Sequence, residues 1–539
     1  MRRTILKGLL GKAIQKTVSC RLKTVDYALL EQPYRLRNEA DGGWRGEFWG
    51  KIVRSAITAS FSTGDAELRA MVDRTVQNMM ATQTPDGCIS SYPVEKQLTH
   101  WDIWGRKYVL LALLRYYKML NPAPEILECC CRMVDHLMSQ VGDESEKKSI
   151  LFTGDHNGLA SSSILGAVVS LWHLTGIKKY RMFADYIIRN GCSWLGNIFE
   201  DVSKGICPSA LGNGKAYEMT SCFQGLTELN EIERDTTQIE LLKKYYTAVR
   251  DREIFVTGAG GAKDGSGEFW YDGALRQTRP AHYGLGETCV IATWIHYCQV
   301  MLNLTDDVSI ADELEKSLYN GILGAMAPDG THWMHMNPTP LTGGGWKKCA
   351  GDQIGELFKT PYGGNDCCRA QGPEGLMSAA LVAVTEQDNA ITVNLFEPMI
   401  SGNLEITGNY PVEPNARIRF SEEITTTLRL RTPGFLKKIS LNGENVPFIT
   451  GKYVSLRRKW TPADKVELEF DFSLKEITAP DGSPFVAVKR GPILLAEDSR
   501  GMVPEAAIQV LWRGKQLCDY ASSGNQMNEG NTLTVWFHM

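Results

Sequence analysis

Two adjacent thiols, Cys367 and Cys368, stand in the glycine-rich polar stretch "YGGNDCCRAQGPEG" at residues 362–375, and upstream "GLGETCVIATW" offers Glu287 and Cys289 with one residue between them. The second stretch reads as the start of an apolar helix. At a frayed first turn both of its side chains can converge on one point, and the positive end of the helix dipole favours thiolate over thiol. Three thiols and a carboxylate make a four-ligand set for Zn²⁺, which takes cysteine sulfur and glutamate oxygen in a tetrahedron. The spacing is not that of a zinc ribbon with its paired CxxC knuckles, so from spacing alone three unrelated thiols in a cysteine-rich chain is the alternative. A third segment, "GSGEFW", sets Glu268 beside Phe269 and Trp270. Apolar neighbours of this kind can keep a carboxyl protonated for general-acid work, although a lone glutamate near aromatics is commonly a surface carboxylate.

The elements that must position these residues have two different periods. From residue 44 to 385 paired helical segments are joined by short polar turns, "FSTGDAELRAMVD", "KMLNPAPEILECC", "WHLTGIKKYRMFAD", "NEIERDTTQIELLKK" and "LNLTDDVSIADELEKS". These are five helical hairpins, and a sixth is predicted from "GPEGLMSAALVAVTEQ", after the cysteine pair, with an N-terminal partner. The expected fold is therefore a six-hairpin (α/α)6 barrel over residues 1–388, with function in its loops. Beyond about residue 386, "AITVNLF", "TTTLRLRTP", "KKISLNG" and "YVSLRRKW" alternate apolar with polar residues. Residues 389–539 are accordingly predicted as antiparallel β-sandwich.

Composition narrows the function class. The 539 residues carry a net charge of −4, with 43% hydrophobic and 22% charged residues, as expected of a globular protein. No long basic run suggests nucleic acid, no run of 18 or more apolar residues suggests a membrane span, and a small or neutral ligand is the expected partner. The glycine-rich "VTGAGGAKDGSGE" lacks a Walker Lys-Ser/Thr and lies among helical hairpins, so it reads as a loop and not a nucleotide site. The N-terminus starts with arginines, but Lys7 and Lys12 interrupt its apolar core and no good cleavage site follows. It reads as mature chain, with an export signal and a periplasmic address as the alternative. Fourteen cysteines, including "ECCCRM" in a helical pattern, favour buried free thiols and a reducing, cytoplasmic compartment. Oligomeric state is not encoded in any of these features.

Taken together, "GSGEFW", "GETC" and "NDCCRAQG" resemble the active-site signature of glycoside hydrolase family 127, the zinc- and cysteine-dependent β-L-arabinofuranosidase family with a six-hairpin barrel and β-sandwich domains. Further matches in the family's order are "WRGEFWGK", "QTPDGCISSYP", "VNLFEPM", "LRLRTPGF", "LNGENV" with "GKYVSLRRKW", and "VAVKRGPILLAE". The resemblance implies a zinc ion held by Glu287, Cys289, Cys367 and Cys368, Cys367 as nucleophile and Glu268 as general acid/base. It also implies an exo-acting, retaining hydrolase of plant cell-wall glycans, with an oligosaccharide substrate. Candidates for the sugar pocket are Trp44, Trp49, His100, Trp101, Asp102, His156 and Glu218, because aromatics stack on sugar faces while carboxylates and imidazoles bind hydroxyls.

The chain departs from the family pattern in two places. Arg369, Ala370 and Gln371 follow the cysteine pair where prolines and an asparagine are usual. The segment between Glu268 and Glu287 is longer than usual and offers Arg276, Arg279 and His282. Guanidinium groups grip carboxylates in a bidentate fork, so these residues point to a carboxylated furanose. The family's activity on aceric acid, an acidic sugar of the pectin rhamnogalacturonan II, fits that expectation. Alternatively these arginines pair with Asp366, Asp272 or Asp264. Two other functions compete with hydrolysis, namely a sugar isomerase or lyase with a structural zinc, and a non-catalytic carbohydrate-binding protein.

Overall fold

Short polar turns with a recurring chemistry set the architecture. In a computed structural model that describes residues 2–39, 43–261, 267–279, 285–342, 366–524 and 532–539, three hairpins reverse in the same way. Gly64, Arg234 and Asp306 end their helices in the left-handed conformation, and Asp65, Asp235 and Asp307 then cap the next helix by accepting backbone N–H bonds. The hairpins so made are α3 (Gly46–Thr63) with α4 (Ala66–Met80), α9 (Ala216–Glu233) with α10 (Thr236–Arg252), and α11 (Thr288–Thr305) with α12 (Val308–Lys316). Two more are α5 (Asp102–Met119) with α6 (Pro124–Gln140), and α7 (Leu165–Thr175) with α8 (Lys178–Arg189). The sixth pairs α13 (Cys367–Val382) with α1 (Leu9–Thr17), while α2 (Tyr27–Leu36) packs on the first hairpin.

Among the described residues, the odd-numbered helices from α3 to α13 form a closed inner ring in which each packs on the next and α13 returns to α3. Burial pattern separates the layers. Outer α8 buries only Tyr180, Phe183, Ala184, Tyr186 and Ile187, one stripe at helical spacing, whereas inner α3 is buried on every face. The apolar run His156–Thr175, long and apolar enough by composition to cross a membrane, is 72% buried and contains inner helix α7.

The axis of the ring is polar. Glu374 of α13, 1% exposed, meets Arg54 of α3 at 3.0 Å, Arg115 of α5 at 2.5 Å and His296 of α11 at 3.4 Å. Burial opposes ionisation of Glu374, but the two guanidinium groups win and hold its carboxyl down at about 2, while burial lowers His296 to about 3 and leaves its ring neutral.

Strands begin directly after α13. The hairpin of β4 (Val384–Gln387) and β5 (Ala390–Val393) turns through Asp388 and Asn389, both left-handed, so the 388/389 boundary read from sequence falls inside a hairpin. Strand β5 runs parallel to β9 (Ile424–Arg431), in a sheet ordered β12-β9-β5-β4 with β12 at Tyr453–Trp460. A second sheet recruits the chain's first strand, since β1 (Thr4–Leu6) pairs antiparallel with β6 (Met399–Ser401), and continues through β7 (Leu404–Gly408), β8 (Asn415–Phe420), β13 (Val466–Phe470) and β10 (Leu436–Leu441) to β11 (Glu444–Asn445). Phe420 of β8 meets Trp460 across the two sheets at 5.3 Å between rings. A third sheet, built around β15 (Phe485–Arg490) and β16 (Ile493–Asp498), docks on the barrel loops. There Thr278 bonds Asp481, Asn320 bonds Leu494 N–H, and Tyr520 donates to the carbonyl of Pro338.

Removing Glu374 leaves two buried guanidinium groups facing each other. Glu374→Gln is expected to lower unfolding free energy at pH 7 by about 3–5 kcal/mol, read by denaturant titration.

Candidate active site

All the inner helices begin at the same end of the barrel, and the candidate site is made from their first turns and the loops before them. Glu287 occupies the N-cap position of α11 and Cys289 is its second residue. Asp366 caps α13, its side chain accepting the Arg369 N–H at 2.7 Å, and Cys367 and Cys368 are the first two helical residues. Because α11 and α13 are neighbours in the ring, the two ligand pairs meet. Cys368 Sγ lies 3.4 Å from Cys289 Sγ, 3.5 Å from Glu287 Oε1 and 3.9 Å from Cys367 Sγ, and the four ligand atoms all lie within 4.8 Å of one another. A tetrahedral ion with bonds of about 2.3 Å to sulfur and about 2.1 Å to oxygen would separate its sulfurs by about 3.8 Å and sulfur from oxygen by about 3.6 Å. The cluster therefore fits a metal ion: Glu287 Oε1 stands from Cys368 at the spacing of a ligand pair, and its Oε2 is buried without a hydrogen-bond partner.

The sulfurs are not equivalent. Cys289 and Cys368 are buried and burial raises their thiols, whereas Cys367 is half-buried and hydrogen bonds from the other two hold its own well below the usual thiol value. Cys367 is thus the thiol of the three with access to the pocket. Burial first, and the charge of Glu268 second, push Glu287 up to about 8.

Glu268 is placed by a backbone bridge. Its carbonyl accepts the Ala216 N–H at 2.6 Å, next to a bridge between Lys215 and Phe269, and its Oε2 lies 2.8 Å from Lys215 Nζ. Where the sequence offered only aromatic neighbours for Glu268, the structure supplies an ammonium. Glu218, in the first turn of α9, is 1% exposed with both oxygens unpartnered, and burial pushes it to about 8 against the pull of Lys215.

Aromatic side chains enclose the cluster. Trp104, Tyr108 and Tyr217 pack on Cys289 and Cys368, with Trp101 and Cys367 at the edge. Trp101 continues to His156, with ring centroids 5.3 Å apart, and His156 to Phe269 at 6.2 Å. Burial lowers His156 to about 4, so a neutral imidazole faces the pocket. Beneath lie Lys51, 2.9 Å from Glu47, and Lys107, whose Nζ stands 3.4 Å from the Trp104 ring centroid and 3.1 Å from Ser163 Oγ. Glu47, bonded by Trp104 Nε1, is pushed to about 7 mainly by burial.

The sequence-predicted pocket residues divide. His156, Glu218 and Trp101 join the site. Trp49 does not, because it is fully buried with Nε1 donating to Thr75 at 2.9 Å, which makes it core between α3 and α4. Asp102 is also not available to a sugar. Ser90, Leu98 N–H and two guanidinium nitrogens of Arg106 occupy its oxygens, and it serves to pin the preceding loop. His100 is half-exposed on the rim, in left-handed conformation, 3.1 Å from Asp155, and Trp44 is half-buried just before α3. Arg369 lies in the first turn of α13, its Nε 3.6 Å from Asp366, while Asp272 pairs with Arg252. Arg276 is half-buried in the turn that leads through Thr278 to the third sheet, Arg279 is exposed there, and His282 and Asp264 lie outside the described residues. The sequence reading missed Glu47, Lys51, Lys107, Lys215 and His335. Charged residues inside otherwise apolar inner-helix patterns, as in "GEFWGK" and "WGRKYV", were the available signal for the first three.

Residues 10–380 match the family described as "Beta-L-arabinofuranosidase, GH127 catalytic domain", and residues 390–472 match its middle domain. A curated relative, the non-reducing end β-L-arabinofuranosidase of Bifidobacterium longum subsp. longum, is 24% identical over 504 residues, which cover 82% of this chain and 74% of that protein. The crystal structure of a GH127 β-L-arabinofuranosidase from Geobacillus stearothermophilus T6 superposes with a TM-score of 0.77 at 19% identity, covering 99% of this chain and 100% of that one. A second GH127 β-arabinofuranosidase structure gives 0.77 at 18% identity, with 99% and 96% covered.

A carboxyl held at about 8 when folded and near 4.5 when unfolded costs stability as pH rises between those values, because the unfolded chain ionises first. Glu218→Gln is expected to remove that slope, so that between pH 6 and pH 8 it gains about 2 kcal/mol relative to wild type. Thermal melts across that range check it.

Proposed function

The chain belongs to glycoside hydrolase family 127, and from that membership we propose that it releases a terminal β-L-arabinofuranose from plant cell-wall glycans with retention of configuration, through a glycosyl-cysteine intermediate. It is a glycoside hydrolase. One observation carries the finer reading: of the four clustered ligand atoms, only the Cys367 sulfur belongs to a residue that is not fully buried.

We assign Zn²⁺ to the Glu287, Cys289, Cys367 and Cys368 set, which suits a borderline-soft ion; when bound, it keeps the thiols ionised at neutral pH. In the first step Cys367 Sγ attacks the anomeric carbon as the bond to the leaving oxygen breaks, and Glu268 gives that oxygen its proton. In the second, Glu268 takes a proton from water, the water oxygen attacks the anomeric carbon, and the sulfur departs as thiolate. Lys215 holds Glu268 in place, and its own charge is stabilised by Glu218 and Glu268 against the cost of burial. Trp101, His156 and Phe269 form the aromatic wall for the sugar, with the neutral His156 ring a hydrogen-bond partner for a hydroxyl. Because the reaction needs reduced thiols and the described cysteines are unbridged, a reducing compartment such as the cytoplasm suits the enzyme.

Release of arabinose with water oxygen at C1 and retained configuration, seen by ¹⁸O labelling and NMR, is the expected product outcome. An inverted, unsaturated or epimerised product rejects the mechanism. Glu268→Gln should lower kcat about 10²–10⁴-fold, Cys367→Ala should abolish sugar release, and Cys289→Ser should lose the one equivalent of zinc that wild type carries.

A carboxylated furanose is the second reading, favoured by the position of Arg369 next to the cysteine pair. Asp366 already stands 3.6 Å from its Nε, so a substrate carboxylate would have to share it. Arg369→Ala is expected to lower kcat/KM about tenfold or more on a carboxylated furanoside while sparing a neutral one; equal losses on both substrates reject the acidic-sugar reading.

A further inference from the structure

His335 is buried beside the ligand cluster and has no part in the steps above. It precedes β3 (Met336–Pro338), which pairs antiparallel with β2 (Leu285–Glu287) so that Met336 stands opposite Glu287. Its backbone is fixed from both sides. The Thr288 N–H donates to the His335 carbonyl at 3.0 Å and Thr288 Oγ1 to the Met334 carbonyl at 2.6 Å, both at the start of α11. Further along, Asn337 bonds the Gly321 carbonyl, and Tyr520 of the third sheet bonds the Pro338 carbonyl. The side chain is 7% exposed, with Nε2 3.2 Å from Glu287 Oε1. A ring nitrogen of His335, a carboxylate oxygen of Asp366 and Cys367 Sγ also lie within 4.8 Å of one another.

We propose that His335 is a positioning residue that commits Glu287 to the metal through one oxygen and thereby leaves Cys367 as the ligand that departs. The inference rests on the metal-dependent reading above. The two oxygens of Glu287 are in different states. Oε1 faces His335 Nε2 and, at 3.5 Å, Cys368 Sγ, whereas Oε2 is buried with no partner. An N–H at Nε2, present in the Nε2–H neutral tautomer and in the imidazolium, fixes the rotation of the carboxylate and so the way it meets the ion. Outer partners of this kind orient metal ligands and are worth about 10–100-fold in affinity or activity. With a metal bound, the other three ligands would have to hold it when Cys367 turns to the sugar. Cys289 and Cys368 are packed under Trp104, Tyr108 and Tyr217, so Glu287 is the ligand whose grip depends on a hydrogen bond. The third sheet, through Tyr520 and Pro338, braces the strand that delivers it.

The test compares wild type, His335→Phe and His335→Gln. Phenylalanine keeps the ring volume without an N–H, and glutamine restores an N–H at the reach of Nε2. Each is purified, stripped and reloaded with Zn²⁺ or Co²⁺, with folding checked by near-UV circular dichroism. Affinity is measured by chelator competition and coordination by the thiolate-to-cobalt charge-transfer and ligand-field bands. The expected result is an affinity about 10–100-fold weaker in His335→Phe with altered cobalt bands, and values in His335→Gln nearer to wild type than to His335→Phe. Folded His335→Phe with wild-type affinity and spectrum overturns the role of His335 while leaving the metal site standing. Wild type that takes up neither ion overturns the metal-dependent reading and this inference with it.

Discussion

Four side chains able to act as ligands, three of them buried, meet at one point, and this can happen because two adjacent inner helices start there. Glu287 and Cys289 stand at the head of α11, and Cys367 and Cys368 at the head of α13. Each helix offers the positive end of its dipole and unsatisfied N–H groups to that point. The rest of the architecture is needed to bring those two helix starts together. Five hairpins must turn, α13 must close the ring against α3, and the first residues of the chain must return as α1 and β1 to cover the seam. Glu374, at the axis, ties the closing helix to α3, α5 and α11, and the guanidinium groups it holds on α3 and α5 would repel one another without it.

Around the cluster, burial and opposing charge hold neighbouring groups in different protonation states. Burial raises Glu47, Glu218 and Glu287 into the range of about 7 to 8 and drives Lys107 far down, while Cys367 alone among the thiols goes the other way. Carboxyls and thiols separated in this way can divide acid, base and nucleophile roles at one pH. The same cost of burial explains the lysines. Lys51 and Lys215 are matched to Glu47 and Glu268 at ion-pair distance, whereas Lys107, against the Trp104 indole and without such a partner, gives up its charge more readily.

Much of the fold was legible in the chain because its signals are local. Turn sequences such as "STGD" and "LTDD" specify a left-handed stop and an aspartate cap within two residues, and the change from helical to two-residue period marks where strands begin. The boundary was blurred because "VTEQ" has too short an apolar alternation to be read as β4. Trp49 and Asp102 show the limit for the site. A tryptophan in an inner helix points outward or inward according to its place on the wheel, and α3 is apolar on every side, so no pattern tells which. An aspartate in a loop motif can bind a sugar or brace its own loop, and the bonds from Ser90, Leu98 and Arg106 that decide it come from the surrounding fold.

The sequence by itself determined the ligand types, the family signature, the hairpin count and the order of helical and β regions, because each of these is written in neighbouring residues or in a repeat. Tertiary structure decided which sulfur reaches the pocket, that Lys215 and not only aromatics stands beside Glu268, and that His335 meets Glu287. The last two are contacts between residues about 50 apart in the chain, and all three follow from ring closure and strand register, whose consequences no local pattern carries.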